Sequence, residues 1–572
     1  MLPSATRSTL AAGLLALLLA LAVGGCGSSS PGPDPASVVP ASTPLYLSAV
    51  LRPSGSLKSD TLADARKLTR LSEPFAGLTQ VLQSPGGRKL NYATDVKPWL
   101  GSRAGAFVSS LDAAAAGSAL MEALGKTLSE GLSGTGVVQL AERDLQTLLA
   151  TKGVQGALVL GATDVTKARA FLAARARETG AHAAAYRGIS YQVAADGTAA
   201  GIVGSFAVIG SEAALHEVID TRQGGAAIAH APGYLKLTAT AEPGALANVY
   251  LNVGGLLGTA AGAAPSASRS TGAASLAPLV RGALAGTEQA YLSLLPAANS
   301  LALDIDTIPS PRSSAEGLLP GTGAAQAAAQ LPGGSWLAAG IGDVGALGQG
   351  AQGLDALASL LGNVSIGSFN LQGLFVALHS RDIDVRRDLL SWIGSAGVFA
   401  AGASLVNLQA GIVFSAKEPA LASAAVAKIA RAYRDAGAQV TPTTIPGAET
   451  AITIKLPNFP VVIGVGYGQN KLALGLGPAS VQEALSPAST LSSSAAYSAA
   501  AATLGHGIQP SVVVDFPTML SLIEALGLTQ AQGVSGIVPY LQSLTTLSAG
   551  GGQSLGGGVK RARVVLGLTQ TG

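Results

Sequence analysis

Short apolar runs alternate along the chain with longer stretches that have helical apolar spacing. Residues 156–160 and 410–414 are apolar runs of strand length, and such runs predict buried strands. Each is followed by a predicted helix: the first begins at Asp164, a good N-cap, and the second has Pro419 in its first turn and ends at Gly437. The alternation predicts an α+β fold, in which short strands form a layered sheet with helices packed on one face.

Apolar runs on either side of turn residues predict two β-hairpins. The runs at 291–295 and 301–305 flank the Pro-Ala-Ala-Asn string of residues 296–299, and this arrangement is typical of a hairpin. A second hairpin is predicted between residues 544 and 568, where glycines from 550 to 558 separate the strands.

The order of these elements occurs twice, with similar residues at nearly the same separation. The stretch beginning at Pro40 resembles the one beginning at Pro332, and the Pro-Trp-Leu-Gly-Ser string around Trp99 resembles Ser-Trp-Ile-Gly-Ser around Trp392. Chance similarity would not keep this register over so long a stretch. We therefore predict two tandem, internally homologous copies of one fold.

One segment is present in the first copy alone, between about 110 and 152, and its apolar spacing predicts two helices. We interpret it as a structural addition to copy one, with a lid or a partner-docking element as the alternative. The predicted boundaries are a signal peptide at 1–25, a tether at 26–37, copy one at 38–308, a linker at 309–330 and copy two at 331–572.

The beginning of the chain has the three-part pattern of an export signal. Arg7 supplies a positive charge, residues 10–23 are almost entirely apolar, and the small residues Gly24 and Gly25 precede a cysteine. An apolar run of this length is too short to cross about 30 Å of hydrocarbon as a helix. We therefore expect a signal peptide that is removed during export, and no transmembrane helix.

Cys26 is the sole cysteine of the chain and directly follows the predicted cleavage site. The Val-Gly-Gly-Cys string of residues 23–26 resembles the lipobox of bacterial lipoproteins, which implies that the thiol is diacylated and that the chain is cut just before it. The alternative is a free or buried thiol. The Ser, Gly and Pro residues of 27–35 favour the lipoprotein interpretation, because such a run stays solvated and is typical of a tether. Two acyl chains give stable attachment, so we expect a location on the extracytoplasmic face of the cell membrane.

Composition argues against several classes of partner and of stabilising bond. The 572 residues are 48% hydrophobic and 12% charged, with a formal net charge of +3. This charge is too small for a nucleic-acid partner, and none is predicted. Once Cys26 is acylated no structural disulfide can form, so the exported protein must be stable through its core alone.

The sequence offers few residues with the spacing of a catalytic or metal site. No histidine lies within four residues of another, and no Ser-x-x-Lys string is present. Asp382 and Asp384 alternate with apolar residues and are interpreted as one solvated strand face. We predict no catalytic residue, no metal and no cofactor, while a distant Ser/His/Asp arrangement stays open. The histidines are His182, His216, His230, His379 and His506.

Two glycine-containing strings resemble nucleotide-binding loops. The Gly-Lys-Thr string of residues 125–127 lacks the glycine that a P-loop needs five positions earlier, where Leu120 stands. Residues 340–345 match Gly-x-Gly-x-x-Gly, but no acidic residue follows about 20 positions later. Copy one has bulky residues at the corresponding place. In a chain with 74 glycines one such match is expected by chance, so we interpret both strings as accidental.

Large aromatic residues recur in both copies, as the pairs Tyr46/Trp336 and Trp99/Trp392. They are interpreted as core anchors, because aromatic residues flanked by apolar ones are usually buried. The alternative is a platform on which a ligand stacks, but a ligand site would be needed in one copy only.

Three features together resemble a known family. They are the lipobox, the Pro-x-x-x-Pro-Leu-Tyr string of residues 40–46 and the Asp-Val-Lys-Pro-Trp-Leu-Gly string of residues 95–101. In these the chain is similar to the bacterial domain-of-unknown-function 3352 family of exported or lipid-anchored proteins. Copy two departs from the motif, with Ser391 in place of the proline and Ile393 in place of the leucine. The resemblance implies an envelope location and assigns no site residue beyond Cys26.

Three functional hypotheses follow. The first is a lipid-anchored cell-envelope protein that is not an enzyme and acts by binding or scaffolding, with a cleft between its two halves. The second is a carrier of hydrophobic ligands such as lipids, which the apolar composition favours. The third is a hydrolase of envelope material. The expected partners are the membrane, reached through the acyl chains on Cys26, and either a hydrophobic ligand or another envelope protein.

Overall fold

The computed structural model describes most of the chain. The described residues are 32–69, 90–111, 154–254, 286–310, 321–344, 365–366, 369–370, 391–404, 406–435, 437–456, 462–530, 535 and 538–570. The predicted signal peptide, Cys26 and nearly all of the predicted helical insertion lie outside them. Helices and strands are mixed throughout the described residues, which confirms the α+β prediction.

The helices of the described residues are short, and most lie between strands. The α-helices are α1 (Gly55–Thr69), α2 (Val165–Glu178), α3 (Glu212–Arg222), α4 (Pro232–Thr238), α5 (Thr322–Ala329), α6 (Pro419–Asp435), α7 (Gly477–Leu485), α8 (Ala495–Leu504), α9 (Phe516–Ala525) and α10 (Val538–Leu541). Single turns of 3-10 helix cover Pro35–Ser37, Ile228–His230, Leu491–Ser493 and Leu528–Gln530, and a π-helical turn covers Tyr92–Val96.

The strands fall into two groups along the chain. The first group is β1 (Leu45–Val50), β2 (Leu100–Leu111), β3 (Val154–Ala162), β4 (His182–Tyr186), β5 (Ile189–Val193), β6 (Thr198–Val203), β7 (Phe206–Ser211), β8 (Ala247–Asn252), β9 (Thr287–Ala297) and β10 (Ser300–Pro309). The second is β11 (Ser335–Ile341), β12 (Ser365–Ile366), β13 (Phe369–Asn370), β14 (Ile393–Ala401), β15 (Gln409–Ala416), β16 (Gln439–Pro442), β17 (Thr450–Lys455), β18 (Val462–Gly468), β19 (Lys471–Leu476), β20 (Gln509–Asp515), β21 (Leu544–Gly556) and β22 (Val559–Leu568).

Helix α2 begins and ends where the sequence predicts. The Asp164 carboxylate accepts a hydrogen bond from the Lys167 N–H at 2.9 Å, so it satisfies a backbone donor that the first turn leaves free. Gly180 follows the helix with a φ of 63°, and Gly437 follows α6 with a φ of 85°. Both values lie in the left-handed region that glycine adopts without strain.

Twenty strands form a single antiparallel sheet. Strand pairing gives the order β4-β5-β6-β7-β3-β2-β1-β8-β9-β10-β22-β21-β20-β11-β14-β15-β19-β18-β17-β16. Both predicted hairpins are present, as β9–β10 and β21–β22. The two strand groups meet at the centre, where β10 pairs with β22 from Ser300 opposite Gly567 to Thr307 opposite Lys560.

Side chains alternate between the two sides of each strand, and both sides of the sheet are buried. On face A, Tyr46 and Phe107 share a core with Leu215 of α3 and Leu237 of α4. Farther along the same face, Phe399 packs in one cluster with residues of α7 and α8. Face A is therefore covered by helices in both strand groups.

Face B is the opposite side of the sheet and is also covered by helices. There Leu158 and Leu160 pack with Leu172 of α2, and Leu47 packs with Leu57 of α1. Residues of α6 share a further cluster with strands of the second group. The strands carry apolar side chains on both faces, and helices cover both. The prediction that helices cover one face is therefore wrong.

Trp99 and Trp392 are buried, as predicted for core residues, with 1% and 2% of their surfaces exposed. Each also closes the turn that leads into a helix. The Trp99 carbonyl accepts a hydrogen bond from the Thr163 N–H at 2.9 Å, and the Trp392 carbonyl accepts one from the Lys417 N–H at 2.7 Å. The two tryptophans thus occupy equivalent places relative to the strands beside them.

Tyr46 and Trp336 do not occupy equivalent places. Tyr46 lies opposite Phe107 and is buried, whereas the residue opposite Phe399 is Ala338. Trp336 falls where the register of β11 shifts, is half-buried, and donates from Nε1 to the Gly402 carbonyl at 3.0 Å. The predicted pairing of the two aromatics is therefore wrong, because a bulge cannot be located from sequence similarity.

Candidate functional site

Along the chain, the first described residues after Cys26 are 32–40, here called the anchor segment. This segment packs on face A. Ala36, Val38 and Val39 are each at most 1% exposed. The Gly32 N–H donates to Ser102 Oγ at 3.0 Å. A Cβ added at Gly105 would lie 2.8 Å from Pro35 Cβ, so this glycine lets the anchor segment approach β2 closely. Residues 32–37, which belong to the predicted tether, therefore lie against the sheet.

Polar contacts fix both ends of the anchor segment. Asp34 caps the turn Pro35–Ser37 by accepting a hydrogen bond from the Ala36 N–H at 3.1 Å, and its other oxygen lies 3.3 Å from Arg103 Nη1. At the other end, the Val39 carbonyl accepts a hydrogen bond from the Ile228 N–H at 2.8 Å. The segment is therefore part of the folded body, although Ser, Gly and Pro residues lead into it.

A cluster of tyrosines lies beside the anchor segment. The Tyr234 ring makes edge contacts with Tyr46, Tyr250 and Tyr291, at centroid separations of 6.1, 5.5 and 6.0 Å. Burial raises the pKa of all four phenols above the ordinary value. They are therefore neutral at physiological pH. Since a phenol of raised pKa is a poor general base, we interpret the four side chains as core residues.

A second polar group combines one histidine with two tyrosines. The His216 ring stacks on Tyr186 with centroids 3.9 Å apart. Tyr191 Oη donates to Glu212 Oε1 at 2.6 Å and lies 2.8 Å from His216 Nε2. Because the hydroxyl proton is directed to Glu212, Nε2 is the donor in the second bond. Burial, followed by the hydrogen bond to Glu212, raises the pKa of Tyr191 to about 12.

This histidine group is arranged for packing rather than for nucleophilic catalysis. Within the described part of the chain no serine or cysteine forms a hydrogen bond with His216, whose partner is Tyr191. The sequence does not predict this group, because Tyr191 lies on β5 and is separated along the chain from α3. One signal was present: Glu212 and His216 are four positions apart and so lie on one helix face. Of the other histidines, His182, His230 and His506 are exposed, and His379 lies outside the described residues.

The Gly-x-Gly-x-x-Gly match has a packing explanation. A Cβ at Gly340 would lie 1.9 Å from the Ala324 carbonyl oxygen, and one at Gly342 would lie 2.9 Å from the Ala324 N. Both glycines therefore admit the backbone of α5 against β11. Four predicted features lie outside the described residues: Gly345, which ends the Gly-x-Gly-x-x-Gly match, the Gly-Lys-Thr string, Asp382 and Asp384.

The described residues contain neither a cluster of metal ligands nor a membrane-spanning helix. Among the residues that the structure describes, no three His, Cys, Asp or Glu side chains are close enough to hold a metal ion. In that same set of residues, no helix is both long and apolar enough to cross a bilayer.

A buried group of charges, here called the ionic junction, joins β10 to β22. Asp304 lies opposite Arg563 and Asp306 opposite Arg561. Asp304 and Asp306 are each 1% exposed, Arg561 is 3% exposed, and the Arg563 side chain is 17% exposed. Charges are seldom buried to this extent unless they are paired, so the junction depends on its internal partners.

Arg561 is the centre of the ionic junction. Its Nε and Nη2 donate to the two carboxylate oxygens of Asp306 at 2.7 and 2.8 Å. Nη1 donates to Glu242 at 2.9 Å, and Nη2 also reaches the Thr240 carbonyl at 2.7 Å. Burial is the largest single effect and lowers the pKa of Arg561, but the hydrogen bonds to Asp306 and the nearby negative charges together outweigh it, so the pKa is raised. Nη1 also lies 3.4 Å from Asp304 Oδ2, so each of the three guanidinium nitrogens has a partner within the ionic junction.

Comparisons with known proteins give one informative result. No curated protein matches the chain. Two solved structures of TP0453, in crystal forms I and III, are similar at 10% identity with TM-scores of 0.23 and 0.24, over 50% of this chain and 82% and 84% of those chains. Similarity of that size supports no inference about fold or function. The model of a family described as "Protein of unknown function (DUF3352)" matches residues 6–556, nearly the whole sequence, and the chain therefore belongs to the DUF3352 family.

Proposed function

We propose that this protein is a lipid-anchored cell-envelope protein that acts as a rigid, non-enzymatic binding or scaffolding module. The observation that carries the proposal is the continuous sheet: β10 pairs with β22, so that both strand groups form one body. The polar groups described above support the same interpretation, because their side chains bond chiefly to one another. An enzyme needs convergent polar groups that are free to meet a substrate.

We further propose that residues 38–308 and 331–572 are tandem homologous copies. Strand order supports this, because reading outward from β10 and from β22 gives the same sequence of elements on both sides. Backbone bonds support it too. The Ile228 N–H donates to the Val39 carbonyl at 2.8 Å, and the Leu491 N–H donates to the Leu331 carbonyl at 2.6 Å. In each case the 3-10 turn binds the segment that precedes the first strand of its group.

Attachment through Cys26 is the part of the proposal that is tested first. The variant Cys26→Ser has no thiol to acylate, so we expect it to take up no palmitate analogue during growth. Mass spectrometry of the N-terminal peptide would then find wild-type peptide that begins at an acylated Cys26. A matched control, Cys26→Ser with Ser28→Cys, moves the thiol by two positions and should remain unlabelled. Wild-type protein with an unmodified Cys26 would contradict the proposal.

Scaffolding is distinguished from ligand transport by native mass spectrometry of the chain from residue 27 onward. This form lacks the acyl groups but keeps every described residue. A mass equal to the bare chain is the result expected for a scaffold. An additional mass that solvent extraction removes, and that corresponds to a lipid, would contradict the proposal and favour a carrier.

A further inference from the structure

The chain between Cys26 and the fold is short. Gly32 is already held by the Ser102 hydroxyl, and only residues 27–31 stand between it and Cys26. A fully extended chain spans at most about 3.6 Å per residue, so these six steps reach no more than about 22 Å. Whatever holds Cys26 therefore also holds Gly32 close to it.

Gly32 lies at one end of the strands of the first group. It contacts Ser102, near the beginning of β2, and Pro33 lies beside Gly161, near the end of β3. We call this the anchor end of the sheet. Two exposed positions belong to it: Lys97 lies three residues before Leu100, the first residue of β2, and Thr166 lies in the first turn of α2.

The opposite end of the same strands is well separated from Gly32. Ser110, near the end of β2, lies opposite Gln155 at the beginning of β3. At about 3.3 Å per residue, the distance along β2 from Ser102 to Ser110 is about 26 Å. Ala195, in the exposed turn between β5 and β6, lies at this far end as well, because Thr198 pairs with Ser211 there.

We infer that the anchor end of the sheet faces the surface of a lipid bilayer and that the far end points away from it. The inference rests on the acylation of Cys26 proposed above. Two pairs of opposite charges lie at the anchor end: Asp34 with Arg103 at 3.3 Å and Asp164 with Lys167 at 3.0 Å. The short connection to Cys26 is the observation that sets this orientation.

The orientation is tested by energy transfer from the protein to labelled lipid headgroups. Because Cys26 is the only native cysteine and is acylated in the mature form, an introduced cysteine is the single site for a maleimide dye. Lys97→Cys and Ala195→Cys place the donor at the two ends. In phosphatidylcholine vesicles we expect higher transfer from position 97. Thr166→Cys and Ser110→Cys form a second pair, so that a variant that fails to fold does not decide the result.

Equal transfer from the two ends, or higher transfer from position 195, would overturn the inference while leaving acylation intact. Protein that does not float with vesicles and carries an unmodified Cys26 would instead contradict the proposed function. Insertion of a Gly/Ser run after Ser30 is the matched control. It should keep the protein on the vesicles and reduce the difference between the two ends, because the fold is then free to turn.

Discussion

Asp64 is a carboxylic acid in an apolar setting. It lies on α1, is fully buried, and neither of its carboxylate oxygens has a hydrogen-bond partner. Burial raises its pKa to about 7. The positive charge of the nearby Lys67 opposes this rise, whereas the negative charge of Asp60 adds to it. Since desolvation penalises the charged form, the folded protein holds this side chain neutral below about pH 7.

This raised pKa predicts a stability that falls as the pH rises. In the unfolded chain Asp64 ionises near the ordinary aspartate pKa of 3.8, so between about pH 4 and pH 7 the folded state binds one more proton than the unfolded state. The free energy of unfolding therefore decreases through this window, by up to about 4 kcal/mol. We expect Asp64→Asn, which cannot ionise, to be more stable than wild type at pH 8 in urea unfolding. An unchanged pH dependence in the variant would contradict this explanation.

At this scale the sequence predicts what local chemistry decides. Asp164 caps α2 because a short acceptor before an apolar helix satisfies the first N–H groups. The contact between Tyr191 and His216 was not predictable, because it depends on which residue of β5 faces α3. The raised pKa of Asp64 was not predictable either. It depends on the burial of α1 in the fold, and an Asp on a helix is normally solvated.

At the scale of elements, the packing of α5 on β11 depends on glycine. Space is lacking at Gly340, where a Cβ would overlap the Ala324 carbonyl and lie 2.6 Å from the Ala328 N. The backbone of α5 therefore rests directly on the strand. Such a contact cannot be relieved by a rotamer change, because the obstructing atoms belong to the main chain.

We therefore expect Gly340→Ala to destabilise the protein by about 1–3 kcal/mol, the usual cost of overpacking. Gly334→Ala is the matched control in the turn before the same strand, because nothing lies within 4 Å of its Cβ position. Urea unfolding of both variants measures the difference. Equal stability of the two would show that α5 shifts without cost, contrary to this account.

Elements whose signal is local were predicted well. The β9–β10 hairpin follows from two apolar runs around a short turn. The coverage of both faces was missed, because the helices of face A and face B have the same spacing in sequence. Residues 32–37 of the anchor segment were assigned to the tether for a related reason: apart from one alanine they are Gly, Pro, Asp and Ser.

At the scale of the whole molecule, the ionic junction ties the two strand groups together. Glu242 precedes β8 in the first group, and both arginines to which it is paired belong to β22. A signal for the junction was present in the sequence: two acids in β10 and two arginines in β22 each alternate with apolar residues. What the sequence does not contain is the pairing of these two strands, which are distant along the chain.

Removal of one partner leaves buried charges uncompensated. We expect Arg561→Met to cost about 3–5 kcal/mol, because Asp304 and Asp306 then have fewer cations in an apolar setting. We also expect the wild type to unfold in one transition and Arg561→Met in two, one for each strand group. The exposed Arg431→Met on α6 is the control and should leave both stability and cooperativity unchanged. A single transition in Arg561→Met at wild-type stability would contradict the role of the junction.

The position of β22 also has a consequence for the order in which the sheet can be assembled during synthesis of the chain. This strand, Val559–Leu568, is the last in chain order, yet it lies in the middle of the sheet between β10 and β21. As the chain is synthesised from its N-terminus, β10 is complete long before its partner β22 and has one edge unpaired until then. A product that is interrupted before residue 559 can never close that edge, and unpaired edges favour association with other chains. The two strand groups can therefore join into one sheet only after residues 559–568 have been synthesised.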